Sequence, residues 1–165
     1  MGVSGVRVVI LGCGRVGSTL AAILTREGHE VSVIDRDQAA FDKAVQRLGV
    51  DFAGETVRGV GIDEEVLSHA GIEQADAFIS VTSGDNTNIV AAQIARHRFH
   101  VPKVFARVYD PIRAEAYLEA GVETICTTTV GAGIFHDLLM GRPLAGVDQY
   151  LGRASNRKRP PQPEG

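Results

Sequence analysis

The placement of three glycines constrains this chain more than any other feature. Gly12-Cys13-Gly14-Arg15-Val16-Gly17 follows an apolar run at 6–11 that only Arg7 interrupts. The same motif opens a segment in which Val16, Leu20, Ile23 and Leu24 recur at helical spacing. A second apolar run at 31–34 ends on Asp35, 18 residues beyond Gly17. G-x-G-x-x-G between a strand and a helix, with an acid closing the next strand, is the pattern of a loop shaped for a pyrophosphate. Gly12 permits the sharp turn, Gly14 lets the backbone approach the ligand, and Gly17 lets the helix sit against the sheet. The helix start offers free N–H groups and the positive end of its dipole. Asp35 suits ribose hydroxyls and repels a 2′-phosphate, which favours NAD(H) or an adenosine di- or triphosphate over NADP; Arg36 beside it could offset that repulsion. At this point a plainer reading stands alongside, in which the glycines only pack strand against helix.

The rest of the chain alternates in the same manner. The apolar runs predict strands at 6–11, 31–34, 50–53, 77–81, 103–108 and 124–126. Helices are expected at 15–27, 38–48, 63–70, 85–98, 111–120 and 130–140, with Asp37 and Asp110-Pro111 as start signals and Gly28, Gly71 and Gly121 as stops. Six strands alternating with short helices imply an α/β fold, a Rossmann-like doubly wound parallel six-stranded sheet with its ligand at the carboxyl ends of the central strands. Residues 1–141 form the nucleotide-binding domain, including its terminal helix, and residues 142–165 an extended, disordered, basic and proline-rich tail.

Composition narrows the function. An apolar fraction of 44% supports a real core. No apolar run approaches the roughly 20 residues of a membrane span, and the start of the chain has no secretory-signal pattern. The two cysteines form no disulfide framework, and no Cys/His cluster has metal spacing, so a reducing cytosol is expected. The net charge of −3 hides an asymmetry. Arg153, Arg157, Lys158 and Arg159 face only Glu164 in the last fifteen residues, leaving an acidic body that is a poor nucleic-acid surface. A length of 165 residues is also short for a dehydrogenase with a separate substrate domain.

Catalytic groups are not evident. A dehydrogenase needs a proton donor or acceptor beside the nicotinamide. His29, His69, His97 and His100 stand at or near helix ends, and His136 lies on the final helix. Tyr109, Tyr117 and Tyr150 form no Tyr-x-x-x-Lys pair. No residue is assigned to catalysis and none to a metal, and binding without turnover is the favoured reading. The alternative is a compact NAD-dependent oxidoreductase whose pocket forms between subunits.

Longer stretches carry a resemblance. The segments 9–17 and 28–35 are followed by Ala70-Gly71-Ile72-Glu73-Gln74-Ala75-Asp76-Ala77-Phe78 and Thr82-Ser83-Gly84-Asp85-Asn86-Thr87-Asn88. Ala106-Arg107-Val108-Tyr109-Asp110-Pro111 and Gly121-Val122-Glu123-Thr124-Ile125 come after them. Together they resemble the TrkA-N domains, also called RCK or KTN domains, cytosolic gating modules of potassium channels and uptake systems. The likeness runs in order over about 6–140.

That resemblance implies a ligand site made of Gly12, Cys13, Gly14, Arg15, Val16 and Gly17 with the ribose-side pair Asp35 and Arg36. Arg15 matches a loop arginine that reaches phosphates, sometimes across a dimer. Val81 and Thr82 match the far side of the cofactor. Arg107 matches a basic position facing the phosphates or the opposite subunit, with a structural salt bridge as the other option. Gly54-Glu55, followed by Thr56, stands in for the Gly-Asp that the family commonly carries after the third strand, near the adenine. Thr127-Thr128-Thr129 replaces a glutamate that helps some ATP-responsive members hold a cation. The resemblance further implies NAD(H) or an adenine nucleotide (ADP or ATP) as ligand and a membrane potassium channel or transporter subunit as partner. The assembly would be a homodimer or higher ring, including rings with a related regulatory subunit, in the cytoplasm at the inner face of the membrane. Many members continue into a second ligand-binding lobe, so the chain either works as the nucleotide-binding half alone or is part of something longer.

In the family the final helix crosses to a neighbouring subunit. Ile134, Phe135, Leu138 and Leu139 give it an apolar stripe, and Gly131 and Gly133 weaken it as an isolated helix. Dimerisation is the favoured reading, with packing on its own sheet as the alternative. Cys13, at a helix start, suits a redox role. A bridge to Cys126 is excluded by the roughly 14 Å between the first and sixth strands.

Overall fold

A computed structural model of the chain describes residues 5–48, 54–119 and 123–153. Six strands, β1 (Arg7–Leu11), β2 (Glu30–Asp35), β3 (Glu55–Arg58), β4 (Ala77–Ser80), β5 (Lys103–Val108) and β6 (Thr124–Cys126), form one parallel sheet in the order 3-2-1-4-5-6. The helices are α1 (Arg15–Arg26), α2 (Gln38–Leu48), α3 (Glu64–His69), α4 (Asp85–His97), α5 (Pro111–Glu119), α6 (Thr127–Leu139) and α7 (Val147–Arg153). The doubly wound fold is therefore present as expected.

Alternation along the strands sorts the core into two layers. Val9, Leu11, Phe78, Val104, Ala106 and Val108 meet Leu67 of α3 and Ile89, Ala92 and Ala95 of α4 on one face. Val8, Ile10, Val31 and Val33 meet Ala21 of α1 and Phe41 and Ala44 of α2 on the other. Small residues on α1 and α4 allow these helices to lie close to the strands. Asp63 caps α3 through the Glu65 N–H at 2.9 Å, and the Asp76 carboxylate accepts the Arg7 N–H at 2.8 Å, fixing the entry to β1.

Three expectations change. The third strand was placed at 50–53, which lies outside the described residues; the strand that pairs with β2 is Glu55–Arg58, with Ser32 opposite Glu55 and Asp35 opposite Arg58. Val57 is its buried residue, so this short edge strand has no apolar run to announce it. Next, the terminal helix starts at Thr127 rather than 130, directly after β6, with Cys126 as its N-cap. Lastly, 142–165 is not extended throughout: Val147–Arg153 forms α7, which packs on α6. Tyr150 is 2% exposed, its ring lies on Gly133, and its hydroxyl accepts the Ala145 N–H at 2.8 Å.

The layer on the α1 and α2 side ends before the far edge of the sheet. Ile79 of β4, Phe105 of β5 and Ile125 of β6, which share that face, stay only half-buried. The principal packing partner of α6 is α7, and Phe135, Leu138 and Leu139 face outward at 76%, 60% and 84% exposure. Because any side chain at 133 meets the Tyr150 ring, Gly133→Val is expected to detach α7. Its amides should lose hydrogen-exchange protection while urea unfolding of the body changes by less than about 1 kcal/mol.

Candidate functional site

The site lies where β1 and β4, neighbours in the sheet, send their chains in opposite directions. Gly12 turns there with φ +106°, a conformation suited to glycine. A Cβ on it would stand 2.9 Å from the Thr82 nitrogen, so the ends of β1 and β4 touch backbone to backbone. A side chain at Gly17 would collide with the Gly12 carbonyl oxygen and approach Val81, which lets α1 seat tightly. Gly14 differs from both. It is the N-cap of α1, makes no side-chain cap bond, and a Cβ on it would meet nothing within 4 Å. No packing among the described residues requires that glycine, whereas the close approach of a phosphate to the backbone would. The residues present therefore fit a pyrophosphate at the start of α1, with Arg15 and Val16 exposed beside it.

Asp35, at the end of β2, accepts the Cys13 N–H at 2.8 Å and the Asp37 N–H at 3.0 Å. It shapes the glycine loop, and each carboxylate oxygen keeps a lone pair for a ribose hydroxyl. Arg36 next to it is exposed. Cys13 and Cys126 are both buried and form no disulfide. Glu55 and Thr56 are not in a loop after the third strand. They begin β3, at the amino end of the sheet beside Ser32, whose hydroxyl lies 3.4 Å from Glu55, and Gly54 precedes them. The trio is withdrawn from the site, because the carboxyl end of β3 is Arg58 and the loop that follows it there is 59–63. Val60 and Ile62 of that loop are exposed apolar residues.

Asn88 was not singled out as a site residue, yet it ties the far side together. It is fully buried on α4, and its Oδ1 accepts both the Thr82 N–H at 2.8 Å and the Thr82 hydroxyl at 2.7 Å. Its amide donates to the carbonyls of Thr82 at 2.9 Å and Arg107 at 3.0 Å. Asp85, at the start of α4, accepts the N–H groups of Tyr109 at 2.9 Å and Asp110 at 3.2 Å. The available signal was polar residues at the start of an otherwise apolar helix face. Arg107 forms no salt bridge among the described residues; Nη2 donates to the carbonyls of Val81 at 2.7 Å and Thr82 at 2.9 Å. Among the described residues no group of three or more His, Cys, Asp or Glu is arranged to hold a metal.

This crevice and strand order define a doubly wound nucleotide-binding domain. Residues 8–128 match the family model of the TrkA-N domain, and the chain belongs to that family. The Trk system potassium uptake protein TrkA of Streptomyces coelicolor is 53% identical over 120 residues, 73% of this chain and 52% of the relative. The TrkA homolog of Methanothermobacter thermautotrophicus is 32% identical over 136 residues, 82% of this chain and 61% of the relative. The chain thus spans little more than half the length of these curated relatives. Among solved structures, GsuK bound to ADP is 28% identical with TM-score 0.67, covering 82% of this chain and 34% of that one. Replacing Asn88 by alanine removes its bonds to the Thr82 N–H and the Arg107 carbonyl, and the expected loss is about 2–4 kcal/mol in urea unfolding.

Proposed function

We propose that the chain is the nucleotide-binding regulatory part of a potassium transport system, taking NAD(H) or an adenine nucleotide and binding it without turnover. The observation that carries this reading is the open space at Gly14 on the start of α1, flanked by the Asp35 carboxylate. Family membership and the Trk relatives support the transport setting. Arg15, Val16, Val81, Thr82 and Arg107 complete the proposed ligand contacts. Among the described residues no helix is long and apolar enough to cross a membrane. In this reading, which rests on the family, the chain acts on a membrane partner from the cytoplasmic side.

Occupancy acts through assembly in this proposal. The exposed stripe Phe135, Leu138 and Leu139 and the half-buried sheet residues Ile79, Phe105 and Ile125 complement each other between two copies. Each copy lays α6 on the open sheet face of the other. The nucleotide biases one arrangement of the pair only to the extent that it binds that arrangement more tightly. The membrane partner reads the arrangement.

Four experiments test these points. Calorimetry with ADP, ATP, NADH and NAD is expected to show binding, and incubating NADH with candidate carbonyl substrates is expected to show no oxidation; turnover would establish the oxidoreductase reading instead. Gly14→Val should leave thermal unfolding nearly unchanged and weaken nucleotide binding at least about tenfold. Unchanged affinity would mean that the glycine loop only packs strand on helix. Leu139→Glu should convert a dimer to monomer in sedimentation, because a carboxylate would be buried on the sheet face.

A further inference from the structure

Arg107 stands apart from the other ordered arginines with defined partners. Arg7, Arg98 and Arg113 each pair with a carboxylate. Arg107 has no such partner among the described residues, although it is half-buried and both its neighbours in β5 are fully buried. Its Nη2 rests on the carbonyls of Val81 and Thr82, and the Tyr109 ring covers its Cζ at 4.4 Å. Its Nε is buried with no hydrogen-bond acceptor. Carbonyl dipoles and an aromatic face orient and partly solvate a guanidinium, but they do not cancel its charge. A fixed positive charge with no ion-pair partner among the described residues therefore sits at the carboxyl end of β4.

Its place relative to the glycine loop gives that charge a meaning. Gly12 touches the 81–82 peptide, and the Arg107 guanidinium is bonded to the two carbonyls of the same segment. A ligand whose phosphates rest on the start of α1 and whose adenosine lies toward Asp35 extends its other end across the switch point, over this segment. We infer that Arg107 is a specificity-determining residue, setting the charge allowed at that end of the ligand. It accepts a neutral ring or a terminal phosphate and disfavours the cationic ring of oxidised nicotinamide. The inference rests on the nucleotide-binding reading above and adds to it the sign of charge that Arg107 selects.

NAD and NADH share every group except the charge and hydrogenation of one ring, so the ratio of their dissociation constants isolates the effect from general damage to the site. The full chain is titrated calorimetrically with NADH, NAD and ADP, as wild type, Arg107→Gln and Arg107→Lys. Wild type is expected to bind NADH about tenfold more tightly than NAD. Arg107→Gln should bring the two within about twofold, and Arg107→Lys, which keeps the charge, should retain the preference. Should Arg107→Gln fail to fold, the wild-type ratio and the ratio in Arg107→Lys carry the test. A wild-type ratio near one, a preference for NAD, or a preference undiminished in Arg107→Gln overturns the inference. If ADP binds in that case, the nucleotide reading stands. If none of the three ligands binds wild type, both fall.

Discussion

Backbone contact between Gly12 and the 81–82 peptide organises the molecule. The two strands that meet there belong to opposite halves of a doubly wound sheet, and their chains diverge from that point. A single methyl group at residue 12 would push the halves apart. Everything that shapes the crevice is anchored to one side of this contact or the other. Asp35 holds the first side through the Cys13 N–H, and Asn88 holds the second through the N–H, hydroxyl and carbonyl of Thr82. The crevice is thus bordered by main-chain groups that buried side chains keep in place, the arrangement preorganised binding requires.

The energetics of the remainder are uneven. Around β1, the sheet is sandwiched between two apolar layers, with Val9, Ile10 and Ile34 fully buried. Toward β6 the second layer runs out, and α6 packs chiefly on α7, as a helical hairpin, rather than on the sheet. Tyr150 closes that hairpin on Gly133, so it is a built unit even though its outer stripe remains in solvent. Stability is concentrated at the nucleotide side, and adaptable surface at the other.

The elements legible in the sequence were those whose chemistry is local. Residues 8–11 announce a strand because both faces are buried and the run is apolar, and 103–108 does so through Val104, Ala106 and Val108 on its one fully buried face. Gly28 and Gly71 announce helix ends because their φ values of +86° and +78° favour glycine. The glycine loop and Asp35 were readable for the same reason. What escaped depends on distant partners. β3 exposes three of its four residues, so its charged sequence hides an edge strand. Three consecutive threonines disguise the first turn of α6, since β-branched residues are poor helix formers until a strand delivers them in register. The one buried side chain established on α7 is Tyr150, whose seat is a glycine on another helix. In the sequence Asn88 reads as one more residue of the 85–98 helix, because its four side-chain bonds reach Thr82 and Arg107, which only the fold brings near.

The joint between β6 and α6 has no slack. Cys126 is both the last strand residue and the helix N-cap, and its thiol reaches toward the Tyr109 carbonyl at 3.6 Å. A hinge of several residues would let the hairpin swing while the sheet stayed still. Here the edge strand and the helix form one stiff lever, and rotating the hairpin means twisting the edge of the sheet. Tyr109, whose ring lies on Arg107, stands at the fulcrum.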